Sequence, residues 1–357
     1  MPVRAGSDAG QIALSRKARY IATFNQRSME PRAMTARKHH YVPQCYLKQF
    51  AVSHKKIPQL TVFDRERRKV FKAGIDNVAA QRDFNTIETE GYDPDTFEKE
   101  MSGFETELAE ALHRINAART LENEEDRAYL LNLVGLTAMR NPRLRETVRQ
   151  AHAQMARIIM DNVLATKETY DRHIREVQAV GRLPESTVGY EDMKKFVREG
   201  DYKITLSNNF QIGQEITVFD KILPLLFQRG WMLLRALEDS AGFITSDHPF
   251  CLMWSDPKRR GGFYPPGLGL RGTEVYFSVS PRLALVGAFE VENAVHDITE
   301  NRVASINGAI VATARAQVYA RDQNFTYAMQ VEEAPKKGSR LIMDKRFLRP
   351  DEKGEEE

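Results

Sequence analysis

Between about residues 95 and 178 the apolar residues of this chain return every third or fourth position, and after Arg229 they no longer do. That change of period constrains the fold more than any other feature, because a helical stripe and a strand pattern cannot be exchanged for one another. Phe97, Met101, Phe104, Leu108, Ala111, Leu112 and Ile115 share one face of a helix that Asp95 is placed to cap. A second helix is expected from about Glu124 through Tyr129, Leu130, Leu133, Val134 and Leu136 to Arg140. Pro142 breaks or kinks it, and a third runs from Arg143 to about Val180. Shorter helices follow, the clearest at Ile212 to Phe227. Beyond them W-M-L-L-R-A-L, G-F-I-T, E-V-Y-F-S-V and L-A-L-V are short, partly β-branched runs divided by Gly and Pro, the pattern of an antiparallel sheet. A last helix is expected over Val291 to Ala314, then a strand at Gln317 to Ala320.

Upstream of the helical block, K-H-H-Y-V-P-Q-C-Y-L-K-Q-F-A begins at Lys38. Pro43 marks a turn, and Cys45, Tyr46, Leu47 and Phe50 suit a short helix. Leu60 to Asp64 and Lys69 to Lys72 read as two strands joined by the charged tip D-R-E-R-R. The expected class is α+β: a central block of long helices packed with a C-terminal antiparallel sheet and a short N-terminal β-hairpin, as one domain over residues 34–349. Residues 350–357 read as an acidic, disordered tail.

Charge separates the N-terminus from the body. Residues 1–33 hold Arg4, Arg16, Lys17, Arg19, Arg27 and Arg32 against Asp8 and Glu30, which exceeds the whole chain's +3 by one unit and leaves the remainder slightly negative. The stretch reads as a disordered basic arm, an import presequence with a weak apolar face, or a leader upstream of a true start at Met34. Nucleic acid is therefore allowed as a partner, but the near-neutral body argues for it only weakly. No run approaches the ~20 apolar residues a bilayer span requires, so no membrane partner is expected. The two cysteines, Cys45 and Cys251, sit among apolar neighbours with no metal-ligand spacing, as buried free thiols of a cytoplasmic protein would.

Three segments carry residues suited to chemistry. His39 and His40 precede a Val-Pro turn; an imidazole there can act as general base, metal ligand or phosphate partner, or simply hydrogen-bond inside a packed turn. In F-I-T-S-D-H-P-F, a strand delivers Ser246 and Asp247 at its end. Asp247 can orient an imidazole or hold a divalent cation, or bond its own following backbone as an Asx turn, and Ser246 can cap or bind. In M-R-N-P-R-L-R, Arg140 sits where Pro142 frees carbonyls, able to meet a carboxylate or phosphate or to make a buried structural ion pair. Of Asn301 and Asn307, six residues apart, at most one faces a shared site. Glu98, Glu105, Glu107 and Glu110 mostly read as a solvated face, with Glu98 and Glu105 nearest the apolar stripe. There is no H-E-x-x-H, Walker loop, G-x-S-x-G or G-x-G-x-x-G.

The opening H-H-Y-V-P-Q-C-Y-L-K-Q-F-A, with N-V-A-A-Q-R-D-F-N-T at Asn77, R-N-P-R-L-R at Arg140, F-I-T-S-D-H-P at Phe243, S-P-R-L-A-L at Ser280 and I-N-G-A-I-V-A-T-A-R at Ile306, resembles the bacterial "domain of unknown function 4238" family over about Lys38 to Arg321. The resemblance implies no settled activity. It singles out His39, His40, Arg140, Asp247 and Asn307, and it favours Asp247 over His248, where the family often has Asn. The leading expectation is a hydrolase of phosphodiester bonds, nuclease-like and in a defence or toxin setting. His39 or His40 is the base, Asp247 orients it or holds a divalent metal, and Arg140 steadies the anionic transition state. The alternative is a ligand- or protein-binding module in which these groups form a structural network. A nucleic-acid binder that relies on the basic leader is the third option.

Overall fold

A computed structural model describes residues 38–53, 57–87, 96–181, 188–200, 202–260, 262–330 and 333–348. The basic leader, Asp95 and the acidic tail lie outside the described residues. The chain divides into two compact units, one made of residues up to Asn141 and from Asn208 onward, the other of Pro142–Ser207.

The first unit opens with β1 (Lys38–His40), the short helix α1 (Gln44–Leu47), the hairpin β2 (Gln59–Asp64) and β3 (Lys69–Gly74), and β4 (Ala80–Arg82). The D-R-E-R-R tip joins β2 and β3 in register, Asp64 facing Lys69. Helices α2 (Thr96–Ala118) and α3 (Glu124–Met139) follow. Asn123 caps α3 by accepting from the Asp126 amide at 2.9 Å. Pro142 does not kink α3. The helix ends at Arg140, whose amide still reaches the Leu136 carbonyl at 2.8 Å, and a new helix starts at the proline, where a missing N–H costs nothing.

That new helix, α4 (Pro142–Val163), builds the second unit with α5 (Lys167–Ala179) and α6 (Tyr190–Glu199). The single helix expected from Arg143 to about Val180 is thus two. Thr166 starts the second with a reciprocal capping box to Thr169.

Back in the first unit, α7 (Asn208–Phe227) precedes β5 (Gly230–Ala236), β6 (Thr245–Ser246), β7 (Cys251–Trp254), β8 (Thr273–Ser280), β9 (Leu283–Ala288) and β10 (Ala294–Ile298). Helix α8 (Glu300–Thr313) and β11 (Gln317–Ala320) come next. The helix expected from Val291 starts only at Glu300, because residues 294–298 pair instead with β5 and form the one parallel edge of a five-stranded sheet ordered β10-β5-β9-β8-β7. Both faces of that sheet are covered. Leu283 and Leu285 of β9 pack with Tyr46, Phe50 and the α2 and α3 residues Leu112, Leu130 and Val134, while Ala284 and Val286 pack with Val303, Ile306 and Ile310 of α8. A four-stranded sheet, β3-β2-β11-β6, brings the hairpin beside the C-terminal strand. Two-sided pairing buries β2 almost completely, although its sequence alternates.

Candidate functional site

His39, His40 and Arg140 come together where β1 meets the ends of α2 and α3. Pairing of β1 with β4 sets His39 opposite Gln81 and His40 opposite Ala80, and strand alternation sends His39 inward and leaves His40 half-buried. The Asn85 amide donates to His39 Nδ1 at 2.8 Å, which in the neutral ring places the proton on Nε2. The Asn85 side chain donates in turn to the Glu98 carboxylate. Arg140, 4% exposed, donates from Nη2 to the His40 carbonyl at 3.4 Å, with its guanidinium 5.3 Å from the Phe97 ring centre.

Electrostatics bring a fourth group into this cluster. Glu105 is pushed up to about 7, chiefly by burial, with Arg140 pulling it down and Glu98 pushing it further up. His40 moves the other way: burial and the charge of Lys38 hold it below its usual range, against Glu98. Cys45 is pushed up to about 12 by burial and Glu105, and so stays a thiol. His40 Nδ1 lies 3.1 Å from Gln44 Nε2. Its Nε2 makes no hydrogen bond of good geometry, although the Ile75 and Asp76 carbonyls lie close enough to favour a proton on the ring. Asn85 Oδ1, on a side chain with no exposed surface, likewise has no hydrogen-bond partner among the described residues.

Asp247 and Ser246 lie apart from that cluster, Asp247 at the exit of α8, and Asn307 stands inside that helix. Asp247 Oδ1 accepts from the Arg315 amide at 2.8 Å, and Oδ2 accepts from Ala316 at 2.8 Å and Gln317 at 3.0 Å. The Asx reading placed those bonds on the backbone just after Asp247; they lie instead on the turn between α8 and β11. Arg65 serves the same turn from the other side, donating to the carbonyls of Val311, Ala314 and Arg315. Burial lifts Asp247 to about 6 against its three amide donors. Asn307 accepts from the Ile244 amide at 3.1 Å and donates to Gly242 at 3.0 Å and Thr326 at 2.8 Å. Ser246 faces Val318 across β6 and β11, and its Oγ accepts from the His248 amide at 3.1 Å.

Tyr41, the residue after His40, lies within reach of the Asp247 charge. Its phenol is held un-ionised by burial and by the charge of Asp247. The same charge acts on Tyr319, whose hydroxyl donates to Gln317 Oε1 at 2.9 Å. Hydrogen bonds tie His39, His40 and Arg140 into one cluster, whereas Asp247 makes its own on the turn after α8 and its charge acts on Tyr41 and Tyr319.

Sequence reasoning passed over Asn85 and undervalued Glu98 and Glu105. The two glutamates stand seven residues apart, two turns of α2, one step from Phe97 and Phe104. That spacing was the available signal for a shared inward edge. Among the described residues no three His, Cys, Asp or Glu gather as a metal site would require. No helix there is long and apolar enough to cross a membrane.

Fold and site define an α+β protein with a two-sided helix-covered sheet and, at its N-terminal strand, a cluster of His, Glu, Asn and Arg distinct from a backbone-bonding Asp and Asn. The chain belongs to the family described as "Protein of unknown function (DUF4238)", which matches residues 38–324. No curated protein and no solved structure matches it.

Proposed function

We propose that the chain is an acid–base hydrolase acting on phosphodiester bonds, with His40, Glu105 and Arg140 as its working groups. What supports this is that Asn85 Oδ1, fully buried, has no hydrogen-bond partner among the described residues, in a cluster where burial lowers His40 and lifts Glu105 to about 7. A network built only for stability satisfies its own members, since each unmet buried group costs about 1–3 kcal/mol.

His40 is neutral at pH 7, as a base must be. The neutral ring keeps one lone pair, which can take a proton from water or a hydroxyl while the other nitrogen donates to the Gln44 side chain or to the Ile75 and Asp76 carbonyls. Glu105, half-protonated near pH 7, is the matching acid for a leaving alkoxide. Arg140 supplies fixed positive charge for the phosphoryl oxygens. Asn85 and Glu98 orient the pair, and His39 locks Asn85 in place. In this reading Asp247, Ser246 and Asn307 hold the frame, and the Asp247 charge is felt through Tyr41.

The test is hydrolysis of bis(p-nitrophenyl) phosphate and of oligonucleotides, with and without magnesium or manganese, by the full chain and by Glu105→Gln and His40→Ala. Wild type is expected to turn over and both variants to fold and lose activity. Turnover by the variants at the wild-type rate overturns the reading. The self-contained Asp247 and Asn307 networks favour a second reading, a binding module without chemistry, in which the same substitutions cost stability and no substrate is cleaved.

A further inference from the structure

The connection between β7 and β8 exposes what the rest of the unit hides. Phe263 is 92% exposed and Tyr264 76%, the highest aromatic exposures among the described residues, and their rings stand edge to face at 5.3 Å. Lys258, Arg259, Arg260 and Arg271 lie on the same connection, all exposed, with Asp256 among them and Glu290 accepting from the Gly272 amide. The described residues of the connection are held at several points. Trp254 Nε1 donates to the Tyr264 carbonyl at 3.0 Å, Arg260 Nε donates to the Trp254 carbonyl at 2.9 Å, and the Arg259 guanidinium lies 3.5 Å over the Trp254 ring. On the far side the buried Arg229 donates to the carbonyls of Leu268 and Thr273. Two adjacent large rings held in water are the kind of exposed patch that interaction sites carry.

We infer that this connection binds single-stranded nucleic acid, the Phe263 and Tyr264 rings stacking on bases while Lys258, Arg259, Arg260 and Arg271 meet phosphates. Ring faces among guanidinium and ammonium groups are the complement of an unpaired strand, whose bases offer flat faces and whose backbone offers one charge per nucleotide. An anionic bilayer would meet the same charges, but two rings and the half-exposed Leu270 give too little apolar area to anchor in it. The inference does not rest on the acid–base reading, nor on the basic leader.

Fluorescence anisotropy of a labelled oligothymidylate, titrated with the full chain at low salt and again as salt rises, tests it. Wild type is expected to bind. Phe263→Ala/Tyr264→Ala weakens binding about tenfold or more, and Lys258→Gln/Arg271→Gln lowers the slope of log K against log salt by about one. Both pairs are exposed, so circular dichroism should match wild type. Glu105→Gln should bind as wild type does, which separates this surface from the hydrolytic proposal. No binding at low salt, unchanged affinity in the aromatic double variant, or loop-dependent capture of phosphatidylserine vesicles without the oligonucleotide overturns it.

Discussion

The polar groups at the exit of α8 and those beside β1 answer the same problem in opposite ways. Around α8, Asp247 and Arg65 spend their side chains on backbone atoms of the turn at its end, and Asn307 spends its own on backbone atoms of Gly242, Ile244 and Thr326, so charge and amide groups finish hydrogen bonds that secondary structure leaves open. Beside β1, His40, Asn85, Glu98, Glu105 and Arg140 act mainly on one another, Asn85 Oδ1 has no hydrogen-bond partner among the described residues, and burial lifts Glu105 to about 7. The first arrangement is closed and stabilises. The second is open, which is the condition for meeting a substrate.

The largest effect should come from Gly308→Ala, because a Cβ there would stand 1.8 Å from the Ala328 carbonyl oxygen, beside Asn307. Overpacking of backbone against backbone should lower the unfolding free energy by about 3 kcal/mol or more in urea melts. Asn307→Ala removes three bonds to buried backbone groups and should cost about 2–4 kcal/mol, with no need of a ligand to reveal it. A milder result at either position would weaken the closed half of the comparison.

The open half has a pH signature. Because the folded pKa of Glu105 is raised from 4.5 to about 7, the fold binds more protons than the unfolded chain in that window, and this group makes stability fall as pH rises from 4.5 to 7. His40 has the opposite sign: its folded pKa is lowered from 6.5, so stability falls as pH drops below 6.5. Urea midpoints across pH should show Glu105→Gln with a shallower first slope, by on the order of 1 kcal/mol at neutral pH, the remainder coming from Asp247, raised from 3.8 to about 6, and His40→Gln without the second. At the small end, Arg235→Gln breaks an exposed pair with Asp297 and should leave the midpoint within error.

Periodicity made the frame legible. The α2 and α3 stripes, the β2–β3 hairpin and the strand at Gln317 follow from spacing and turn chemistry alone. It failed where tertiary pairing decides: residues 294–298 are drawn into a strand by the free edge of β5, and nothing local announces that. His39, His40 and Arg140 stood out beside Pro43 and Pro142. Asp247 and Asn307 stood out too, but their partners lie dozens of residues away, so their backbone-bonding role could not be read from the chain. Asn85 and Glu105 carried weaker signals because their environment, rather than their type, sets their behaviour.

The contrast is tested most directly by the urea stability of Asp247→Asn and Glu105→Gln at pH 7. An amide at 247 turns a donor toward the Arg315, Ala316 or Gln317 N–H, and an amide at 105 relieves a buried charge. The account predicts a loss of about 2–3 kcal/mol for Asp247→Asn and none for Glu105→Gln. Equal losses at both positions would show that the cluster beside β1 is as structural as the one at α8, and would contradict it.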